Sequence, residues 1–224
     1  MIKTRLFSLI SILAIFTAGC NFNFFVQGPP ASTATSTSAV DATATPASPF
    51  AWPAGSDACI LVASTSQVAY DRPSLDANPF GDTGAGFETQ VSIRTFDGWV
   101  GFDPGVAQAA NIGIFRYRWL HFDQVSLSGN CVSVPQATWV PQPDACYDMP
   151  MEAVSVYSGA DTSSSVLATL EIEDFAAVLG LTGTGWAQVD LGDGNTGLTG
   201  IGWVEDSTLN MNGTICDELP TVSP

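Results

Sequence analysis

Five cysteines are the most reactive side chains of this chain, and their spacing limits the chemistry open to them. No two of them show the close C-x-x-C spacing that a zinc site uses, so we set metal binding aside. In an exported protein, four cysteines form two disulfides, and three pairings are possible. The four are Cys59, Cys131, Cys146 and Cys216, whereas Cys20 lies far from them.

A pattern of aromatic residues recurs with these cysteines. A tyrosine follows at 11 positions and a tryptophan at 40 positions after both Cys59 and Cys146, and the later members agree to within three positions. In order, the members are Cys59, Tyr70, Trp99, Trp119 and Cys131 in one copy, and Cys146, Tyr157, Trp186, Trp203 and Cys216 in the other. A repeat of this length indicates a duplicated domain. Because each copy then closes itself, the duplication predicts the disulfides Cys59–Cys131 and Cys146–Cys216.

The search for catalytic chemistry predicts no catalytic residue, no metal site and no cofactor. His121 is the only histidine, so a Ser-His-Asp or Cys-His arrangement would have to be built on it, and its neighbours are typical of a strand. The acidic residues are too numerous for a glycosidase pair to stand out. The run Asp190–Asn195 lacks the residue order and the closing glutamate of an EF-hand, so we interpret it as a hairpin loop.

Arginine and aromatic residues are the better candidates for ligand binding. In the segment 112–122, predicted as one strand, Arg116 and Arg118 alternate with aromatic side chains. If the aromatic face is in the core, both guanidinium groups point outward, where they either hold a carboxylate or remain solvated. Three residues of the second copy are candidates either for a ligand platform or for packing: Tyr157, Trp186 and Trp203.

The charge of the chain excludes one class of partner. It has 22 acidic and 6 basic residues, for a net charge of −16, and no basic residue lies between Cys146 and Cys216. So acidic a surface repels phosphate backbones, which excludes nucleic acid and disfavours electrostatic docking on anionic lipids.

Residues 1–19 are interpreted as a signal peptide. Lys3 and Arg5 precede an apolar stretch, Leu6–Phe16, that is too short to span a membrane. The closing Thr17-Ala18-Gly19-Cys20 resembles the bacterial lipobox, which implies cleavage before Cys20 and lipidation of its thiol. The expected location is the extracytoplasmic face of the cell membrane, with contact through the lipid anchor only. An ordinary secretory signal is the alternative.

Residues 20–56 are rich in Ala, Ser, Thr and Pro, with Asp41 as their only charge. Such a segment buries too little apolar surface to offset its ordering entropy. We therefore expect a disordered tether after the lipidated cysteine.

Short apolar runs separated by Gly, Asp and Asn predict an all-β fold, and no long helical period occurs after the signal. Three stretches of the second copy resemble the bacterial SH3-like (SH3b) family in order and spacing: "VSVYSGADTSSSVLATL" at 154–170, "TGWAQVDLGDGNTG" at 184–197 and "GIGWVEDSTL" at 200–209. The first copy matches more loosely, at 68–73, 98–102 and 112–122. The resemblance implies two small SH3-like β-barrels in tandem, each closed by a disulfide.

The domain boundaries expected from this resemblance are a divergent first module at 57–133, a linker at 134–144, a second module at 145–218 and a disordered tail at 219–224. The resemblance also implies binding rather than catalysis. We expect a non-catalytic surface lipoprotein whose modules bind a cell-wall peptide or an envelope protein. The alternatives are a structural accessory subunit of an envelope complex and a wall-targeting partner of a hydrolase.

Overall fold

The computed structural model of the protein describes residues 49–106 and 110–224, which belong to one compact unit. It confirms the predicted all-β class, because the described residues form strands and short 3-10 turns and contain no α-helix. Within those residues, no helix is long and apolar enough to cross a membrane. The predicted signal peptide, the lipidation site Cys20 and most of the predicted tether lie outside the described residues.

The strands fall into two groups that correspond to the two repeats. The first repeat contains β1 (Ile60–Ala63), β2 (Val68–Tyr70), β3 (Pro79–Asp82), β4 (Phe87–Gln90), β5 (Ile93–Arg94), β6 (Trp99–Phe102), β7 (Arg118–His121) and β8 (Ser126–Ser128). The second contains β9 (Tyr147–Asp148), β10 (Val154–Tyr157), β11 (Val166–Leu170), β12 (Ala176–Leu181), β13 (Trp186–Gly194), β14 (Ile201–Glu205) and β15 (Met211–Asn212). The 3-10 turns are Gly113–Arg116, Phe122–Gln124, Asp206–Thr208 and Thr214–Glu218.

Both repeats have the same strand order. The second repeat forms one antiparallel sheet in the order β11-β10-β14-β13-β12-β9-β15. In the first repeat, the strand that corresponds to β12 is interrupted at Val91 and Ser92, which leaves β4 and β5. The same order is therefore divided over two sheets, β3-β2-β7-β6-β5 and β4-β1-β8. The duplication inferred from the cysteines and aromatic residues is thus also a duplication of topology.

Alternating side chains give each repeat its own core. Along β13, Ala187, Val189 and Leu191 are buried, whereas the residues between them face outward, as a half-buried strand requires. Each core also contains a disulfide. Both predicted disulfides are confirmed: Cys59–Cys131 and Cys146–Cys216 close loops of 72 and 70 residues.

A third buried cluster joins the two repeats. Its central residue is Phe115, whose ring lies 5.7 Å from that of Tyr147 and 5.1 Å from that of Phe175. The buried members are Trp99, Ile114, Phe115 and Trp119 from the first repeat and Tyr147, Met149, Phe175 and Ala177 from the second. The two repeats therefore share apolar packing, which the sequence repeat did not reveal.

Arg72 adds a polar connection beneath this cluster. Its buried guanidinium donates from Nη1 to the carbonyls of Gln142 and Ala145, the latter at 2.7 Å, and from Nη2 to the carbonyl of Asn212 at 3.0 Å. The same group lies 5.4 Å from the centre of the Tyr147 ring. Arg72, a residue of the first repeat, thus donates hydrogen bonds to backbone carbonyls of the connecting segment and of the second repeat.

The predicted strand at 112–122 is wrong in its first half. Gly113–Arg116 forms a 3-10 turn, and the strand begins only at Arg118. Ile114 and Phe115 are adjacent in sequence and both buried, which a strand with one buried face cannot achieve but a tight helical turn can. Because the turn resets the alternation, Arg118 is buried instead of pointing into solvent.

The predicted tether and tail are both shorter than expected. Phe50, within the predicted tether, contacts the ring of Phe122 at 4.3 Å, and Ala54 forms a β-bridge with Asn130. The predicted disordered tail is also ordered, since the main chain at 220–222 pairs in parallel with Leu181 of β12. Backbone hydrogen bonds hold it: Leu181 donates to the Pro220 carbonyl and Val222 donates to the Leu181 carbonyl, at 3.0 and 2.9 Å.

The segment predicted as a linker makes the same pairing in the first repeat. Arg94 donates to the Pro135 carbonyl and Ala137 donates to the Arg94 carbonyl, at 3.0 and 2.8 Å. Residues 134–137 and 219–222 are therefore equivalent parts of the two repeats. A signal for this was present in the sequence, because an apolar residue and a proline follow each closing cysteine at the same distance, as Val134-Pro135 and Leu219-Pro220.

Candidate binding clefts

A tyrosine–tryptophan pair occupies the same place on the outer face of each repeat. Tyr70 and Trp99 meet edge to face with ring centres 5.7 Å apart, and Tyr157 and Trp186 do so at 5.6 Å. In each repeat the tyrosine is paired across the sheet with a further tryptophan, Trp119 or Trp203. The structure therefore brings together three residues that the sequence proposed for ligand binding: Tyr157, Trp186 and Trp203.

A cleft of about 500 Å³ opens beside the pair in the first repeat. One wall is the loop after β2, in which Leu75 is 67% exposed. The other wall comes from the ends of β6 and β7 and the turns next to them. The lining residues are Pro73, Ser74, Leu75, Asp97, Trp99, His121, Asp123 and Gln124. An apolar side chain thus faces two carboxylates across an open cleft.

His121 is held by oxygen atoms on both sides of its ring. Its Nδ1 lies 3.2 Å from Oδ2 of Asp123, and its Nε2 lies 3.3 Å from the carbonyl of Asp97. Both ring nitrogens therefore have a polar neighbour, and these contacts fix the orientation of the imidazole. Ser74 lines the same cleft, but its hydroxyl accepts a hydrogen bond from the N–H of Asp76 at 3.1 Å. His121 and Ser74 are thus each hydrogen-bonded to other groups of the cleft and its loops.

The equivalent place in the second repeat is smaller and lacks the histidine. A cleft of about 160 Å³ lies beside Tyr157 and is also lined by Glu205 and Thr208. Glu205 stands opposite Trp186 in the sheet, as His121 stands opposite Trp99. The second cleft is therefore small and acidic.

The two arginines proposed as a carboxylate site are not brought together. Arg116 donates from Nε to Oδ2 of Asp103 at 2.9 Å, in a pair whose side chains are both partly exposed. Arg118 is buried, donates to the carbonyls of Phe115 and Tyr117, and stacks 3.9 Å from the centre of the Phe80 ring. Burial lowers the pKa of Arg118, although a guanidinium remains charged.

Metal binding finds no support in the part of the chain that the structure describes. No group of three or more His, Cys, Asp or Glu residues there could hold an ion. The four cysteines of the repeats form the two disulfides and so offer no free thiol to a metal.

The cleft residues of the first repeat were missed by sequence reasoning because they come from separate loops. Leu75, Asp97 and Asp123 have no motif of their own, and only the fold places them around Trp99. The repeated Tyr–Trp pattern was the available signal, since it marks the strands from which these loops leave.

Comparisons with family models and with curated proteins found no match to this chain. One solved structure with a detectable likeness is NlpC2 from Trichomonas vaginalis, at a TM-score of 0.24 and 9% identity. The likeness covers 68% of this chain and 47% of that chain, so this chain spans about half its length. A TM-score of this size supports no inference about fold or function.

Proposed function

We propose that this protein is a non-catalytic binding protein of the bacterial cell envelope. It is attached to the extracytoplasmic face of the membrane through a lipid on Cys20. Its two repeats are proposed to be SH3-like barrels, for which the duplicated strand order and the order of the short sequence motifs are the support. The first repeat binds a peptide of the cell wall in the cleft beside Trp99.

The observation that carries this proposal is the cleft around Leu75 and His121. It is the larger of the two clefts beside the repeated Tyr–Trp pairs, and it combines an exposed apolar side chain with fixed polar groups. Such a combination is typical of binding sites, in which apolar contact gives affinity and a few polar groups fix orientation.

Charge selects the end of the peptide that is recognised. Asp97 and Asp123 are the two carboxylates of the cleft, with Asp123 also in contact with the His121 ring at 3.2 Å. Arg116, in contrast, is engaged with Asp103, and Arg118 is buried. The cleft therefore complements an amine rather than a carboxylate. Cell-wall peptides carry free amino groups on their diamino acid, which makes them suitable ligands.

The proposal is tested by calorimetric titration of the lipid-free chain with a purified cell-wall peptide, before and after acetylation of its free amine. The native peptide is expected to bind, and acetylation is expected to weaken binding about tenfold, which corresponds to about 1.4 kcal/mol. Asp123→Asn should have a similar effect, because it removes one carboxylate while leaving a side chain of the same size.

Asp161→Asn is the matched control, since this exposed acidic residue lies in a turn of the second repeat. It is expected to leave the affinity unchanged. Equal binding of the native and acetylated peptides, or equal loss in the two variants, would contradict recognition of an amine in this cleft.

A further inference from the structure

The contact between the two repeats is made by different faces. We call the outer surface of β6, β7 and the turn before β7 the front face of the first repeat. We call the outer surface of β9, β12 and the turn before β12 the back face of the second repeat. The front face contributes Trp99, Ile114, Phe115 and Trp119, and the back face contributes Tyr147, Met149, Phe175 and Ala177. In such a head-to-tail contact the two repeats use different surfaces. One front face and one back face therefore remain without a partner repeat.

The unused front face belongs to the second repeat. Its strands β13 and β14 carry Trp186 and Trp203 at the positions of Trp99 and Trp119. Leu198 follows Gly197 there, just as Ile114 follows Gly113, and both glycines have positive φ, 69° and 53°. Ile114 is only 8% exposed because the second repeat covers it, whereas Leu198 is 42% exposed.

Ile201 adds to the same uncovered surface. It is 45% exposed at the start of β14, on the same side of the strand as Trp203, which is itself only 7% exposed, so Leu198 and Ile201 form the exposed part of this surface. An apolar surface formed from neighbouring strands and turns marks an interaction site more often than isolated exposed residues do.

The unused back face belongs to the first repeat, and its residues would not pack against the front face of the second repeat. β1 pairs Ile60 with Gln90, as β9 pairs Tyr147 with Ala177. Glu88, two positions before Gln90, therefore stands where the second repeat has Phe175. Both Glu88 and Gln90 are exposed. A glutamate at the centre of a contact would be buried without a partner and would face the acidic rim formed by Asp190 and Glu205.

We propose that the front face of the second repeat docks a further β-module of the same kind, on another protein, with an aromatic residue at the position of Phe175. The contact by which the first repeat holds the second is the template for this interface, although the exposed Thr199 stands at the position of Phe115, so the partner has to fill the space of that ring. Glu88 and Gln90 prevent a second copy of this chain from occupying the surface. The site is distinct from the cleft beside Trp99, so the two proposals can fail independently.

The test uses a variant of this chain as the probe. The back face of its first repeat is given the residues that the second repeat has at the same positions. We expect sedimentation equilibrium to show that the wild type is monomeric and that the double variant Glu88→Phe/Gln90→Ala associates in a concentration-dependent manner. The association constant of the variant should be at least about tenfold that of the wild type. Because both substituted residues are exposed, the thermal transition should stay close to that of the wild type.

Adding Ile201→Asp to the double variant should restore the monomer, whereas adding Val132→Asp should not. Val132 is the matched control, because it is exposed to a similar extent but lies outside both faces. The proposal is overturned if the folded double variant stays monomeric, or if its association survives Ile201→Asp. Association of the wild type that Ile201→Asp abolishes would equally overturn it, because the occupant would then be a second copy.

Discussion

Asp148 is a buried acidic residue of the second repeat at a position where the first repeat has an apolar residue. It is fully buried in β9 at the position that Leu61 occupies in β1. Its Oδ1 accepts a hydrogen bond from the N–H of Asn210 at 2.9 Å, whereas Oδ2 has no hydrogen-bond partner within the described part of the chain. Burial raises the pKa of this carboxyl to about 6, and the N–H groups of Asn210 and Met149 offset only part of that effect.

The raised pKa of Asp148 makes stability fall as the pH rises. The carboxyl of the unfolded chain has its ordinary pKa of 3.8, whereas the folded chain keeps the proton up to about pH 6. Between these values the folded state binds more protons, so the free energy of unfolding decreases with pH, by about 3 kcal/mol for two units. Above pH 6 the penalty is constant.

Asp148→Asn should remove this penalty, because the amide keeps the acceptor for Asn210 and carries no charge. We expect the variant to be more stable than the wild type at pH 7, by about 1–3 kcal/mol, and the difference to vanish near pH 4. Urea unfolding of both proteins at several pH values measures it. The two proteins have all their other acidic residues in common. A difference in the free energy of unfolding that stayed constant from pH 4 to pH 7 would therefore contradict a raised pKa of Asp148.

At the scale of elements, the C-terminal segment 219–222 is part of the second repeat. It runs along β12 opposite Gly180, and a Cβ at Gly180 would lie 2.6 Å from Cγ1 of Val222 and 2.7 Å from the carbonyl of Pro220. The glycine is therefore required by the close approach of this segment rather than by a turn.

Gly180→Ala should displace the C-terminal segment and lower the free energy of unfolding by about 1–3 kcal/mol, as overpacking does elsewhere. Gly183→Ala is the matched control, because nothing lies within 4 Å of the added methyl group. The comparison is made by thermal and urea unfolding. In a chain ending at Glu218 the alanine at position 180 should cost little, since the atoms it meets are gone. An equal cost in the full and shortened chains would show that the segment does not lie over Gly180.

The sequence predicted the elements whose signals are local and repeated. The all-β class and both disulfides followed from cysteine spacing, short apolar runs and the duplicated aromatic residues. The 3-10 turn around Phe115 was not predictable, because its reason is burial against Phe175 and Tyr147 of the other repeat. The cleft beside Trp99 was missed for a similar reason, since Leu75, Asp97 and Asp123 become neighbours only when three separate loops meet.

At the scale of the whole molecule, the shared cluster around Phe115 makes the two repeats depend on each other. Separate cores with one disulfide each would be expected to unfold in two steps. The cluster instead buries aromatic side chains of both repeats together, and Arg72 of the first repeat donates to carbonyls of the connecting segment and of the second repeat. Unfolding of either repeat exposes this surface. Unfolding of the first repeat also removes the donor from the carbonyls of Ala145 and Asn212, and unfolding of the second removes acceptors from Arg72, so we expect one cooperative transition.

Arg72→Met is the variant that tests this coupling. It keeps an apolar side chain against Phe115 and Tyr147 but removes the donors to Ala145 and Asn212, which leaves partly buried carbonyls without this partner. We expect a loss of about 3 kcal/mol or more and a broader or divided transition in scanning calorimetry. Arg116→Met, which breaks a partly exposed ion pair, should change stability by less than about 1 kcal/mol and leave a single transition. Two resolved transitions in the wild type would show that the repeats fold independently despite their shared cluster.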